Sequence, residues 1–144
     1  MEDMQIGPFK CGGKFDKELA KEYLGEIVHD LSLGEDWLKT ERYQFKNGSS
    51  ITVQDNKVSV IHILAPDKIA TARGLTIGDS FDKLKQLYGE PSQIDKIMDF
   101  ESYTYMPQKV DIINDGQFFL IVILDESKRV VEIRVQGLKI DMPS

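Results

Sequence analysis

The chain has 144 residues, of which 41% are hydrophobic and 29% charged, and a formal net charge of -6. This composition indicates a soluble globular protein, and the acidic balance argues against nucleic acid as a partner, because phosphate binding needs clustered Lys and Arg. No apolar run approaches the length of a membrane span, and the N-terminus shows no export signal, although removal of such a signal would leave the same sequence. A single cysteine, Cys11, excludes an intramolecular disulfide.

Two segments of the chain resemble each other and predict an internal repeat. Residues 77–91 begin with Ile-Gly and continue through Phe-Asp-Lys to Tyr-Gly-Glu-Pro. Residues 6–26 also begin with Ile-Gly and, after a longer joint, continue through Phe-Asp-Lys to Tyr-Leu-Gly-Glu. Two similar segments in one chain indicate that the same structural unit occurs twice. We therefore expect two similar units, residues 1–68 and 69–144, packed together as one compact domain.

The first unit is predicted to hold one helix followed by strands. Apolar residues recur every three to four positions over 14–24, and Gly25 stops the pattern, which is typical of a short helix. Strands are predicted at 37–45, 50–54 and 57–64. Residues 65–76 are expected to join the two units.

The second unit is predicted to repeat this order. Ser80 is a suitable N-cap for a helix over 80–88, and Gly89 and Pro91 end it. Strands rich in Val, Ile, Tyr and Phe are predicted at 102–106, 109–113, 118–124 and 130–135. Because turn residues separate these strands closely, we expect antiparallel meanders. The predicted fold class is α+β in two layers: one curved antiparallel sheet with the helices on one face.

The segment from Thr71 to Ser80, with the later Tyr88-Gly89-Glu90-Pro91, carries a family resemblance. It resembles a bacterial pattern found in the BamE (SmpA/OmlA) lipoprotein family and in the repeats of β-lactamase inhibitory proteins. The resemblance implies a helix before an antiparallel sheet, two such repeats side by side, and an exported or envelope location. The chain departs from the pattern, since Pro8 to Lys14 are inserted before the first helix and Cys11 follows no lipobox.

Residues 118–124 are apolar at both odd and even positions, so apolar side chains project from both faces of that strand and both faces must be shielded from water. The helices can cover one face, and the other must meet loops, a second subunit or a binding partner. Tyr and Trp often anchor protein interfaces, so the aromatic residues of the strands are candidate partner-binding residues, with core packing as the competing interpretation. These candidates are Trp37, Tyr43, Phe45, Tyr103 and Tyr105.

Catalytic signatures are absent from the sequence, which contains no metal-binding His-Glu-x-x-His, phosphate-binding glycine loop or nucleophile elbow. We interpret His29 as part of a polar connection and His62 as a structural strand residue. Cys11, beside two glycines, is interpreted as an incidental residue of a flexible N-terminal segment. The acidic residues are interpreted as lying in solvated loops. A catalytic role for a pair of these carboxylates, as in glycoside hydrolysis, stays open. They are Glu35, Asp36, Asp95, Asp99, Glu101, Asp111 and Asp115.

These observations favour a non-enzymatic protein-binding module, inhibitor-like or an interaction domain, without cofactor or metal. The partner is a protein, and a homodimer stays open. One alternative is an envelope-assembly or structural module of an exported bacterial protein. A second is a small ligand-binding protein or hydrolase that uses the carboxylates together with Tyr103 or Tyr105.

Overall fold

The structure is a computed structural model that describes residues 5–33, 40–54, 56–65, 67, 69–105 and 117–138. A two-stranded hairpin comes first, with β1 at Gln5–Ile6 and β2 at Phe9–Lys10. Helix α1 at Lys17–Leu24 follows, and then come the strands β3 at Ile27–Leu33, β4 at Thr40–Phe45, β5 at Ser50–Gln54 and β6 at Lys57–Leu64. Helix α2 at Phe81–Tyr88 precedes β7 at Gln93–Ile97, β8 at Phe100–Tyr105, β9 at Gln117–Leu124 and β10 at Val130–Leu138.

The eight long strands form one antiparallel sheet in the order β3-β4-β5-β6-β10-β9-β8-β7. The last strands of the two halves, β6 and β10, pair directly at the centre, with Ile63 opposite Ile133 and Ile61 opposite Val135. One helix followed by four antiparallel strands therefore occurs twice, and the two groups run outward from a shared middle. The α+β class and the antiparallel sheet are confirmed.

Both helices begin and end in the same way. Asp16 accepts a hydrogen bond from the Leu19 amide at 3.2 Å, and Ser80 accepts one from the Lys83 amide at 3.3 Å, so each side chain satisfies an amide that has no partner within its helix. Gly25 and Gly89 then follow the helices with φ values of 89° and 77°. The predicted cap at Ser80 is confirmed. No helix in the described part of the chain is long and apolar enough to cross a membrane.

Several predicted bounds agree with the structure and others do not. The strands predicted at 50–54 and 57–64 are confirmed. The prediction missed β3 and β7, so His29 lies in a strand rather than in a connection, and residues 95–101 form a hairpin rather than a loop. The strand predicted at 109–113 lies outside the described residues. The boundary between 68 and 69 falls in the connection between β6 and α2 and stays a prediction.

Cys11 corrects another expectation, because it lies in the core. Its thiol is buried and approaches two backbone carbonyl oxygens, that of Ser59 at 3.8 Å and that of Val135 at 3.7 Å. Burial raises the pKa of the thiol to about 12, which keeps it protonated and a poor nucleophile. The N-terminal segment is held by hydrogen bonds between Gly12 and Val58 and between Val58 and Gly13, so Cys11 belongs to the packed interior.

Candidate protein-binding surface

The register of the strands divides the side chains of the sheet into two faces. Residues directly opposite each other in an antiparallel pair project to the same side, so a row of paired residues traces one face. One such row crosses six strands and is buried throughout. It consists of Tyr43, Ile51, Ile61, Val135, Leu120 and Tyr105. We name the side that this row defines the covered face.

Both helices lie on the covered face. The Phe15 ring, just before α1, stacks on Tyr43 with ring centroids 4.8 Å apart. At the other half, Phe81 of α2 contacts Tyr103 at 5.3 Å, and Tyr88 contacts Tyr105 at 5.6 Å. The aromatic residues of β4 and β8 thus pack against the helices and close the core.

This packing favours core packing, the competing interpretation, for the aromatic candidates of β4 and β8, whose part in partner binding stays a prediction. Tyr43, Phe45, Tyr103 and Tyr105 are 5%, 0%, 5% and 8% exposed, and they share the face that the helices cover. The physical reason is that a small two-layer protein needs its largest apolar side chains between the layers. Trp37 lies outside the described residues, so its part in partner binding stays a prediction.

The opposite side of the sheet, which we name the open face, carries the second apolar row of β9. Leu120, Val122 and Leu124 are buried on the covered face, and the residues that alternate with them, Phe119, Ile121 and Ile123, are only half-buried. Val60 and Leu64 of β6 project to the same side, through pairing across β10. The prediction that β9 is apolar towards both faces is confirmed.

Three charged or titratable side chains lie in the middle of the open face. Glu132 of β10 lies 3.0 Å from the Nε2 atom of His62, and its second oxygen lies 3.5 Å from the Arg134 guanidinium. Its close contact with His62, aided by the Arg134 guanidinium, holds the pKa of the Glu132 carboxyl below its usual value, although burial opposes this shift. Glu132 is therefore an anion at neutral pH.

The contact between His62 and Glu132 is close but poorly aligned. The buried Nε2 atom has no well-directed hydrogen-bond acceptor within the described part of the chain, even though the carboxylate oxygen is within 3.0 Å. We therefore describe the pair as an electrostatic contact whose hydrogen bond is imperfect. Arg134 is the most exposed of the three side chains at 34%, compared with 16% for His62 and 18% for Glu132.

A shallow depression of about 410 Å³ lies at one end of the open face. It crosses β6, β10, β9 and β8, and its lining is apolar except for the Glu132 carboxylate. The lining residues are Leu64, Ala65, Phe100, Ile123, Val131 and Glu132. A depression of this shape and chemistry fits a protruding side chain of another macromolecule.

The β7–β8 hairpin borders this depression and exposes apolar side chains. Met98, in its turn, is 86% exposed, and the flanking Ile97 and Phe100 are 62% and 45% exposed. Met98 also has a φ of 57°, a left-handed conformation that usually belongs to Gly or Asn. Sequence reasoning missed this hairpin, because Ile94 and Ile97 of β7 lie three residues apart and project to opposite faces, so no alternating apolar row marks the strand.

The acidic residues do not converge on a catalytic arrangement in the described part of the chain. Glu101 pairs with Lys128, and Asp95 accepts a hydrogen bond from Gln93 at 2.8 Å. Among the described residues, no group of three or more His, Cys, Asp or Glu side chains is placed to hold a metal ion. Four of the acidic candidates, Glu35, Asp36, Asp111 and Asp115, lie outside the described residues.

Burial also limits the chemistry of the two tyrosines that could accompany the carboxylates. Burial raises the pKa of Tyr103, and it raises that of Tyr105 to about 12 with smaller contributions from Tyr103, Glu90 and Tyr88. The Tyr105 hydroxyl donates a hydrogen bond to the Gly89 carbonyl oxygen at 3.2 Å. Both phenols are therefore neutral at physiological pH and serve the packing of α2.

Comparison with known proteins shows a distant structural likeness and no family. The sequence matches no protein-family model and no curated protein. A solved structure of a Streptococcus mutans protein, provisionally described as a beta-lactamase inhibitor protein, is similar over 85% of this chain and 82% of that chain. The identity is 14% and the TM-score is 0.32, which is too low to carry an argument about function. The BamE part of the resemblance finds no support in these comparisons.

Proposed function

We propose that this protein is a non-enzymatic binding module whose open face contacts another protein. The observation that carries the proposal is the outward row of β9, where Phe119, Ile121 and Ile123 are only half-buried on the side of the sheet opposite the helices. Leaving contiguous apolar side chains in water costs free energy, on the order of 25 cal/mol for each Å² that could be buried. Such a patch on a small protein is typical of a contact surface.

The surroundings of the row favour a protein over a small molecule or a nucleic acid. The depression is wide and open, which suits a protruding side chain better than an enclosed ligand. The acidic balance of the chain disfavours phosphate backbones. An apolar centre with His62, Glu132 and Arg134 beside it has the anatomy of a protein interface, in which apolar contacts supply affinity and charged groups supply specificity.

The proposal is tested by crosslinking the protein to its neighbours in producing cells, with two matched variants. Ile121→Asp places a charge in the centre of the outward row of β9. Thr52→Asp places the same charge on the open face of β5, in the first half. We expect a crosslinked protein that persists with Thr52→Asp and is lost with Ile121→Asp, while both variants stay folded and unfold cooperatively in denaturant. Equal crosslinking by Ile121→Asp and the unmodified chain would contradict the proposal.

An inhibitor and an interaction domain differ in what happens to the bound protein. The captured partner is assayed with and without a molar excess of this chain. Loss of the partner's activity that Ile121→Asp does not cause would identify an inhibitor. Unchanged activity in a stable complex would identify an interaction domain.

We also infer that the two halves descend from one duplicated unit. The same order of one helix and four strands, side-chain caps at Asp16 and Ser80, and positive φ values at Gly7 and Gly78 support this inference. Superposition of residues 1–68 on 69–144 in an experimentally determined structure tests it. Halves whose helices lie differently on their strands would contradict it.

A further inference from the structure

We propose that the depression receives a basic side chain, lysine or arginine, of the protein that the open face binds. The stem of this side chain lies on the apolar walls, and its charged end donates a hydrogen bond to the Glu132 carboxylate. This inference rests on the proposed function, because it names the chemistry of the partner at one point of the open face. Three features of the described residues support it: the lining of the depression, the acceptor capacity of Glu132, and a bulge in β10.

The lining combines apolar walls with one carboxylate. Leu64, Ile123 and Val131 supply aliphatic surface, and Phe100 adds an aromatic ring. Lysine and arginine bury their methylene stems along such surfaces while their charged ends keep polar contacts, and an aromatic ring attracts a cation. The volume of about 410 Å³ has room for either side chain.

The Glu132 carboxylate distinguishes between kinds of occupant. A wholly apolar side chain would exclude water from the carboxylate without replacing its hydrogen bonds, which costs free energy. An acidic side chain would be repelled. A basic side chain covers the walls and also supplies a donor, so it is the occupant that matches the whole lining.

Glu132 keeps acceptor capacity beyond its two contacts within the chain. The Nε2 atom of His62 lies 3.0 Å from one carboxylate oxygen but is poorly directed towards it. The Arg134 guanidinium lies 3.5 Å from the other oxygen, which is long for a charge-assisted hydrogen bond. An ionised carboxylate has about four acceptor sites, and these two contacts leave part of them unused. The anion can therefore accept a well-directed donor from outside.

A bulge in β10 places the carboxylate in the depression. Val130 lies opposite Leu124 and Glu132 lies opposite Ile123, so Val131 is an extra residue in the pairing with β9. Consecutive residues of a regular strand project to opposite faces, whereas Val131 and Glu132 both line the depression. Bulges recur where a strand must re-aim a side chain. Here the irregular backbone puts an acidic group beside its apolar walls.

The charges around the depression also favour a basic occupant. Asp95 and Glu132 belong to one row of paired residues, with the apolar Ile123 between them. His62 and Arg134 lie opposite each other in the adjacent row, and neither is among the described residues that line the depression. The net charge of -6 attracts a basic partner over a longer range.

The experiment is an NMR titration of the isotope-labelled full chain with capped single amino acids as probes. N-acetyl-lysine methylamide and N-acetyl-arginine methylamide carry the proposed side chains. N-acetyl-norleucine methylamide has the lysine stem without the ammonium group, and N-acetyl-glutamate methylamide has the opposite charge. We expect the basic probes to shift the amide signals of Ile123, Val131 and Glu132 and to bind roughly threefold to tenfold more tightly than the norleucine probe. The glutamate probe should bind less tightly than the norleucine probe.

Two variants show whether the carboxylate causes this preference. Glu132→Gln keeps the size of the side chain and removes its charge, so it should bind the basic probes no more tightly than the norleucine probe. The matched control is Glu22→Gln, because Glu22 is exposed on α1, on the other side of the sheet, and its loss should leave the preference intact. Urea unfolding shows that both variants are folded.

Several results would overturn the inference. They are equal binding of the lysine and norleucine probes, a preference for basic probes that survives in Glu132→Gln, and signal changes confined to other parts of the sheet. The absence of any signal change up to the solubility limit of the probes would overturn it as well.

Loss of the inference is separable from loss of the proposed function. In the crosslinking experiment, Glu132→Gln should reduce the yield of the Ile121-dependent complex. A partner that crosslinks in an Ile121-dependent way, and equally well to Glu132→Gln, would refute the basic side chain and retain the open face as a binding surface. Basic probes that bind at Glu132 without any Ile121-dependent partner would remove the protein partner, and with it the inference, and leave a site for free cationic compounds.

Discussion

β5 and β9 hold matching places in the two halves, each next to its own central strand, and they differ on one face only. Towards the helices both present buried apolar residues, Ile51 and Val53 in β5 and Leu120 and Val122 in β9. Towards the open face, β5 presents Thr52 and Gln54, whereas β9 presents Phe119, Ile121 and Ile123. The covered face is constrained by the need for a core in both halves. The open face has no such constraint, so the apolar row that β9 places there is the observation that supports the proposed binding surface.

The largest expected effect separates the two faces of β9. Leu120→Ala should lower the free energy of unfolding by about 2–5 kcal/mol, because Leu120 is 1% exposed in the core and its loss leaves a cavity. Ile121→Ala, one residue later, should cost about 1 kcal/mol or less, since its side chain is half-buried on the open face. Urea unfolding of both variants measures the difference. Equal costs would show that the open face is packed as tightly as the covered one.

The next effect compares equivalent glycines of the two halves. Gly7→Ala should cost about 2–3 kcal/mol, because φ is 56° and the new methyl group would lie 2.4 Å from Cγ2 of Ile69. Gly78→Ala has a φ of 95° and no atom within 4 Å of the new methyl group, so backbone strain alone should cost about 1 kcal/mol. Thermal unfolding of the two variants tests the order, and a more damaging Gly78→Ala would contradict the packing at Ile69.

The helix caps should show that the two halves are alike where their structures agree. Asp16→Ala and Ser80→Ala each remove a side-chain acceptor from a helix amide, so each should cost about 1 kcal/mol. Denaturant unfolding of both variants and of Asp82→Asn, which leaves the cap of α2 in place, provides the comparison. A cost confined to one half would mean that only one of the two helices depends on its cap.

The smallest effect concerns the Glu132 carboxyl and depends on pH. Its pKa is lowered in the folded protein by His62 and Arg134, so its ionised form stabilises the fold above the carboxyl's ordinary pKa. That contribution disappears as the pH falls through the lowered pKa. We expect the unmodified chain to lose about 1 kcal/mol or less relative to Glu132→Gln as the pH falls below about 4. Unfolding free energies measured across this range would reject the contribution if the two curves stay parallel.

The sequence predicted the inner strands and the second helix better than it predicted the strands at the two edges of the sheet. The strands at 50–54 and 57–64 and the cap at Ser80 were predicted correctly because apolar alternation and capping chemistry are local properties. β7 was missed because it is an edge strand with every residue exposed, so it has no apolar row to reveal it. β3 was missed because His29 and Asp30 interrupt its apolar residues.

The candidate surface was predicted in part. The doubly apolar pattern at 118–124 indicated that one row of β9 would be left without cover by helices. The identity of that row could not follow from the pattern, because alternation defines two sides without saying which one faces the helices. For the same reason the pattern could not decide between partner binding and core packing for the aromatic residues of β4 and β8, which in the structure pack against the helices.

By itself the sequence determined that this chain forms short capped helices and antiparallel strands, since propensity, caps and turns act between near neighbours. Only the tertiary structure decided that β6 and β10 join the halves, that Ile121 points away from the helices and Val122 towards them, and that Glu132 lines a depression. These relations connect residues far apart in the chain. They are fixed by the register of strand pairing and by the free energy of burying one face of the sheet.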